Sequence, residues 1–135
     1  MTKSPLLDTH VWVWWMLGDA RLPARERAVL DDLPGGHRPR VCDISMWEVA
    51  MLVQLGRLKL DDSLEDWLRI AASPATVEVI PITSAIVSEM NRLPANFHQD
   101  PADRLIVATA RARKLLLATH DVRIRRSRQA SLWAA

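Results

Sequence analysis

The chain has 135 residues, a formal net charge of +2, 49% hydrophobic residues and 25% charged residues. This length and composition predict one globular domain spanning residues 1–135 around a single core, and they exclude a largely disordered or low-complexity protein. The longest fully apolar run is 11–17; a membrane span needs about 20 such residues, so we expect no membrane anchor, no secretory signal and a cytoplasmic location.

The first half of the chain predicts two short strands and four helices. The spacing of apolar residues, with glycine or proline at the ends, sets the bounds of these elements. The strands are predicted at 5–8 and 40–42. The first helix is predicted between Asp8 and Gly18, and the other three at 24–33, from about 46 to 55, and at 61–72. In the first helix Val11, Trp14 and Trp15 recur at helical spacing, which favours a core position for the tryptophans. Asp43 or Ser45 is expected to cap the third helix.

The second half continues the alternation of strands and helices. It predicts a β-branched strand at 76–82, a helix capped by Thr83 or Ser84 that runs to about 93, a loop at 94–99, a helix from Pro101 through 112 capped by Asp100, and a strand at 115–118. The last strand has no polar side chain, as expected of a parallel strand covered on both faces. The whole pattern predicts an α/β/α layered fold with a mostly parallel sheet.

Acidic residues follow predicted strands or begin predicted helices at four places. These places hold Asp8, Glu48, the pair Asp100 and Asp103, and Asp121. Because an open parallel sheet gathers its strand ends in one crevice, we expect three or four of these carboxylates to meet there. Two carboxylates about 4 Å apart repel by about 4 kcal/mol at an effective dielectric of 20, and a hard cation such as Mg²⁺ or Mn²⁺ is the usual reason for such a cluster.

Positive charge is concentrated after the third of these places. Between Arg104 and Arg128 there are eight Lys or Arg residues and one acid, so this segment has a net charge of +7. Because the whole chain has a net charge of +2, the remaining residues together have a net charge of about −5. A basic surface beside carboxylates suits a polyanion that binds through its phosphates next to a metal. The structural alternative is a solvated helix face followed by a basic tail.

Four segments of the chain resemble the PIN-domain ribonucleases, specifically the VapC-type toxins of bacterial type II toxin-antitoxin systems. They are LLDTHVW at 6–12, SMWEVA at 45–50 with LGRL at 55–58, HQDPADRLI at 98–106 and THD at 119–121. The resemblance covers nearly the whole chain. It implies a three-layer α/β/α PIN-like fold, metal-dependent cleavage of RNA phosphodiester bonds, a homodimer, and inhibition by a cognate antitoxin in a heterotetramer or larger assembly.

The resemblance also implies which acids hold the metal. Asp8, Glu48 and Asp103 would form the acidic core that holds Mg²⁺ or Mn²⁺, and Asp121 would be a fourth, more peripheral catalytic acid. Asp8 and Asp103 would be direct ligands. Glu48 would hold or position the attacking water.

Other residues have supporting roles in this interpretation. Thr9 and Ser45 match positions whose hydroxyls line the pocket, and Asp100 is expected to cap its helix with a possible outer role at the site. Arg104, next to the acids, is either a stabiliser of negative charge on the phosphate or part of a surface salt bridge. The resemblance gives His10 and His98 no role, so we expect packed or hydrogen-bonded side chains.

Two other functions fit parts of the pattern. A phosphotransferase with Asp8 as nucleophile would normally have a second acid two residues later, where this chain has His10. A non-catalytic RNA-binding or scaffold domain would keep the acids as remnants, and the sequence leaves this alternative open.

Overall fold

Four short parallel strands form the centre of the fold. The structure is a computed structural model that describes residues 4–135. The strands are β1 (Leu6–Leu7), β2 (Arg40–Cys42), β3 (Glu78–Ile80) and β4 (Leu117–Ala118), and their order across the sheet is β3-β2-β1-β4. Leu6 pairs with Arg40 on one side and with Leu117 on the other. Because β1 lies inside the sheet, the residue that follows it emerges at the middle of the carboxyl edge.

Helices cover both faces of this sheet. Within residues 4–135 they are α1 (Thr9–Leu17), α2 (Ala24–Asp31), α3 (Ile44–Gln54), α4 (Leu64–Ala71), α5 (Ser84–Asn91), α6 (Pro101–Arg113) and α7 (Val122–Ser127). No helix in this part of the chain is long and apolar enough to cross a bilayer.

The core has two clusters, one on each face of the sheet. Leu6 packs with α5, α6 and α7, whereas Leu7 packs with α1, α3 and α4, because successive side chains of a strand point to opposite faces. This arrangement confirms the predicted three-layer α/β/α fold with a parallel sheet.

Several predicted elements differ in their bounds or partners. The strands β3 and β4 are shorter than predicted, and the fourth helix begins at Leu64 after its cap Ser63, rather than at residue 61. The helix α3 begins at Ile44, before the predicted start, and its N-cap residue Asp43 makes no capping hydrogen bond. The Asp43 carboxylate instead accepts a hydrogen bond from the Ile82 amide, at 3.1 Å, which ties α3 to the second residue after β3.

The tryptophans of α1 pack on the core, as predicted, but they are buried to different extents. Trp12 is fully buried and its indole donates to the Ala71 carbonyl at 3.1 Å, whereas Trp14 and Trp15 are half-buried.

The helix α7 was not predicted at all. It begins after its cap Asp121 and is held in the core by Ile124.

Candidate active site

Asp8 is the most buried acid of the site. It follows β1 and is only 2% exposed. The Thr9 amide donates to its Oδ1 at 2.8 Å, and the Thr119 hydroxyl donates to its Oδ2 at 2.6 Å. Because Thr119 follows β4 and β4 pairs with β1, two adjacent strand ends hold this carboxylate in place.

Glu48 reaches the same region from the second turn of α3. The Thr9 hydroxyl donates to Glu48 Oε1 and lies 2.8 Å from the Ser45 hydroxyl. Since the Thr9 hydroxyl has one proton, the Ser45 hydroxyl is the donor in the second contact. The two predicted pocket hydroxyls therefore form a relay that orients Glu48.

Asp103 comes from the first turn of α6 and is 7% exposed. Its helix is capped by Asp100, whose carboxylate accepts from the amides of Ala102 and Asp103 at 3.0 and 3.3 Å. The capping role predicted for Asp100 is confirmed. His98 Nε2 lies 2.7 Å from Asp103 Oδ2, so His98 is hydrogen-bonded, as expected.

Asp121 lies at the edge of the group. Its carboxylate caps α7 by accepting from the Ile124 amide at 3.0 Å, and its own amide donates to the Thr119 hydroxyl at 3.0 Å. Thr119 thus connects Asp121 to Asp8 through one side chain.

A cation near the acids was missed by the sequence analysis. Arg123 Nη2 lies 3.8 Å from Asp103 Oδ2 and 4.0 Å from Asp121 Oδ2, and its side chain is 63% exposed. Arg104, which was predicted for this position, instead directs Nη1 to the carbonyls of Phe97 and His98, at 3.3 and 3.5 Å. Arg123 therefore lies beside the acids, whereas Arg104 contacts backbone carbonyls, and the role suggested for Arg104 at the phosphate stays a prediction. The only sequence signal was that Arg123 lies in the basic run, two residues after Asp121.

Burial and, to a smaller extent, mutual repulsion raise the pKa of the three acids of the site. Burial is the main cause for all three, raising the pKa of Asp8 to about 6, of Asp103 to about 6 and of Glu48 to about 7. Negative neighbours add to this effect: Asp8 raises the pKa of both Glu48 and Asp103, and Asp100 raises that of all three. A bound cation would relieve this repulsion.

His10 is a neutral neighbour of this group. The His120 amide donates to His10 Nε2 at 2.9 Å, so this nitrogen is an acceptor and the proton of the neutral ring is assigned to Nδ1. Nδ1 lies 3.5 Å from Asp8 Oδ2. Burial lowers the pKa of His10 to about 4, so the ring stays uncharged at neutral pH.

The oxygen ligands of the site fit a divalent cation, although the carboxylates are hydrogen-bonded to neighbouring side chains. No group of three or more His, Cys, Asp or Glu residues in 4–135 is placed so that it could hold a metal ion as it stands. The oxygens of Asp8, Glu48 and Asp103 are bonded to Thr119, Thr9 and His98 instead. Three mutually repelling carboxylates nevertheless supply the hard oxygens and the negative charge that Mg²⁺ or Mn²⁺ requires.

Comparison with known proteins identifies the family. The family model of the PIN domain matches residues 6–129. The chain belongs to the PIN domain family. It is 35% identical over 123 residues to Ribonuclease VapC22 of Mycobacterium tuberculosis (strain ATCC 25618 / H37Rv), and the match covers 91% of each chain. This relationship confirms the resemblance to the VapC proteins.

Solved structures confirm the PIN fold. VapBC2 from Rickettsia felis, bound to a DNA fragment from its promoter, matches with a TM-score of 0.67 at 16% identity, over 95% of this chain and 96% of that chain. The DNA-bound VapBC from Salmonella typhimurium matches with a TM-score of 0.67 at 17% identity, over 98% of both chains. A toxin-antitoxin complex from Klebsiella pneumoniae matches with a TM-score of 0.56 at 24% identity, over 87% of both chains.

Proposed function

We propose that this PIN-domain protein is a metal-dependent endoribonuclease toxin that hydrolyses RNA phosphodiester bonds at Asp8, Glu48 and Asp103. The observation that carries the proposal is the convergence of these acids from β1, α3 and α6 on one edge of a parallel sheet. Each is at least partly buried, and two of them are bonded to buried hydroxyls. The 35% identity to a protein named as a ribonuclease supports the same activity.

Each acid has a separate task in this proposal. Asp8 and Asp103 would hold Mg²⁺ or Mn²⁺, which would act as a Lewis acid towards a phosphoryl oxygen and would lower the pKa of a water. The Thr9 hydroxyl occupies Oε1 of Glu48, which leaves Oε2 to accept a proton from the attacking water. Because the pKa of Glu48 is raised to about 7, this carboxylate is suited to proton transfer at neutral pH. Asp121 lies at the edge of the group and helps to hold Asp8 in place, because its amide donates to the Thr119 hydroxyl that bonds Asp8.

Arginines near the acids provide contacts for the phosphate. Arg123 is exposed and lies beside Asp103 and Asp121. A guanidinium in this position can donate two hydrogen bonds to a phosphate and stabilise the charge that develops during cleavage. We assign this role to Arg123 rather than to Arg104.

The proposed regulation is inhibition by a cognate antitoxin. The similar folds include toxin-antitoxin complexes, and we propose that this chain also forms a homodimer and a heterotetramer or larger assembly with an antitoxin in the cytoplasm. Exposed apolar side chains on α3 and α4, including Trp47 and Ile70, are candidate contacts.

The test is cleavage of end-labelled RNA in Mg²⁺ or Mn²⁺, with and without EDTA. Wild type should cleave only with metal, Asp8→Asn should not cleave, and Asp62→Asn, an exposed acid before α4, should cleave like wild type. Equal cleavage by wild type and Asp8→Asn would reject the proposal. RNA binding without cleavage by wild type under any metal would favour the scaffold alternative, in which the acids are remnants.

A further inference from the structure

Asp103 uses only one of its two carboxylate oxygens in contacts with the described chain. Its Oδ2 lies 2.7 Å from His98 Nε2 and 3.8 Å from Arg123 Nη2, whereas no hydrogen bond from residues 4–135 reaches Oδ1. An ionised carboxylate can only accept hydrogen bonds, so His98 Nε2 is the donor. This bond restricts the rotation of the carboxylate and leaves Oδ1 free for a cation.

His98 is itself held by the ring of the preceding residue. The rings of Phe97 and His98 are stacked, with centroids 4.5 Å apart and an angle of 27° between their planes. Phe97 is 4% exposed and belongs to the core cluster that contains α5, α6 and α7, and its amide donates to the Pro94 carbonyl at 2.9 Å. The imidazole therefore packs against a ring that the core fixes.

Arg104 holds the same loop against α6. Its Nη1 donates to the carbonyls of Phe97 and His98, at 3.3 and 3.5 Å. Its guanidinium carbon lies 5.9 Å from the centroid of the Phe97 ring, within the range of about 6 Å in which a cation is attracted to an aromatic face. The residue that directly follows Asp103 in the helix thus holds the loop that supplies the hydrogen-bond donor of Asp103.

A hydrogen bond to a metal ligand affects how well the metal binds. Carboxylates that bind a metal are themselves hydrogen-bonded, and the loss of such a partner typically reduces metal affinity or activity by about 10- to 100-fold. Without its donor, the carboxylate of Asp103 would have to be ordered when the cation binds, at a cost in entropy. The side chains of His98 and Asp103 are 15% and 10% exposed, so water has little access to their bond.

We propose that His98 and Arg104 are positioning residues of the metal site, in which His98 orients the carboxylate of Asp103 and Arg104 keeps His98 in place by bonding the loop at 97–98. The inference rests on the proposed function and adds two residues to it. It gives Arg104 a role in the binding of the cation, through His98, in place of a contact with the phosphate.

The first test observes the bond between His98 and Asp103 without any metal. A buried, hydrogen-bonded imidazole N–H exchanges slowly with water, so protein labelled with ¹⁵N at histidine should show a ¹H–¹⁵N correlation for it in EDTA. The chain has four histidines, and His98→Gln assigns the signal by removing it. Arg104→Ala should weaken or remove the signal, whereas Arg113→Ala, an exposed arginine at the end of α6, should keep it. A wild type without this signal, or an unchanged signal in Arg104→Ala, would overturn the proposal.

The second test measures the binding of Mn²⁺ by isothermal titration calorimetry in the absence of RNA. His98→Ala should weaken binding by about 10- to 100-fold, and Arg104→Ala should weaken it less. His98→Gln should restore much of the lost affinity, because the glutamine amide can donate from nearly the same place as Nε2. This rescue separates the hydrogen bond from a general effect on folding. His37→Ala, at an exposed position in the loop before β2, is the control and should match wild type.

A double variant shows whether the two residues act in series. If Arg104 acts through His98, the variant with both His98→Ala and Arg104→Ala should bind Mn²⁺ about as weakly as His98→Ala alone. Losses that add in full would overturn the proposal. Wild-type affinity in both single variants would also overturn it, while the proposed nuclease function would stand because wild type still binds the metal. If the imidazole signal is as expected but no divalent cation binds wild type, the positioning of Asp103 stands and the nuclease function fails.

Discussion

Removing the charge of Asp8 should stabilise the metal-free protein at neutral and alkaline pH. Burial raises the pKa of Asp8 from 3.8 to about 6. A carboxyl with a raised folded-state pKa contributes stability that is fully present below about pH 3.8 and is lost as the pH rises through about 6. At about 1.4 kcal/mol for each pKa unit, the ionised carboxylate costs the fold about 3 kcal/mol above pH 6.

The substitution Asp8→Asn removes this cost while keeping the shape of the side chain. The amide oxygen can still accept from the Thr9 amide, but the bond donated by Thr119 is lost or reversed, so about 3 kcal/mol is the upper bound. For a domain of this size 1 kcal/mol moves Tm by about 3 to 5 °C. We therefore expect Tm at pH 8 in EDTA to rise by up to about 9 to 15 °C, and to change little at pH 4.

Thermal unfolding followed by circular dichroism between pH 4 and 8 measures this effect, with Asp62→Asn as a control that should follow wild type at every pH. A Tm for Asp8→Asn below that of wild type at pH 8 in EDTA would refute the reasoning, because it would mean that ionised Asp8 serves the fold rather than a ligand.

Further predictions follow from individual contacts. Thr119→Val removes the hydroxyl that donates to Asp8 and should lower the free energy of unfolding at pH 7 by about 1 to 3 kcal/mol in urea titrations; an unchanged value would contradict the importance of this bond. Trp12→Ala, at a fully buried position, should lower the free energy of unfolding by about 3 to 5 kcal/mol. Trp47→Ala, at a position 50% exposed, should change it by no more than about 0.5 kcal/mol. Similar losses of stability in the two variants would contradict the assigned core. Mg²⁺ should raise the Tm of wild type but not of Asp103→Asn, and an equal rise in both would exclude Asp103 as a ligand. Arg123→Ala should reduce the rate of RNA cleavage more than Arg104→Ala, in single-turnover assays at saturating enzyme, since only Arg123 lies beside the acids.

Features that depend on local sequence were predictable. Asp100 followed by Pro101 is a helix start in any context, because the carboxylate caps free amides and proline lacks the amide that a first turn leaves unpaired. The alternation of apolar strands with helices likewise predicted the layers. The contact between Asp8 and Thr119, in contrast, depends on the pairing of β1 with β4, which was not predicted from the sequence.

Features that depend on tertiary packing were not predictable. In the run at 11–17 every side chain is apolar, so helical spacing could not tell which tryptophan faces the core, and Trp12 occupies it. The helix α7 has one buried side chain, Ile124, within a basic segment, too little for an amphipathic pattern. Because α7 was not predicted, the position of Arg123 beside the acids was not predicted either. Arg104, which directly follows Asp103 in the sequence, was suggested for the role instead.

The measurement that tests the central claim most directly is X-ray diffraction from crystals soaked in Mn²⁺, with data collected for the anomalous signal of manganese. If Asp8, Glu48 and Asp103 form one metal-binding site, an anomalous peak should lie against the carboxylate oxygens of Asp8 and Asp103, and it should be absent from crystals of Asp103→Asn. A well-diffracting wild-type crystal saturated with Mn²⁺ and lacking a peak between these two acids would contradict the account.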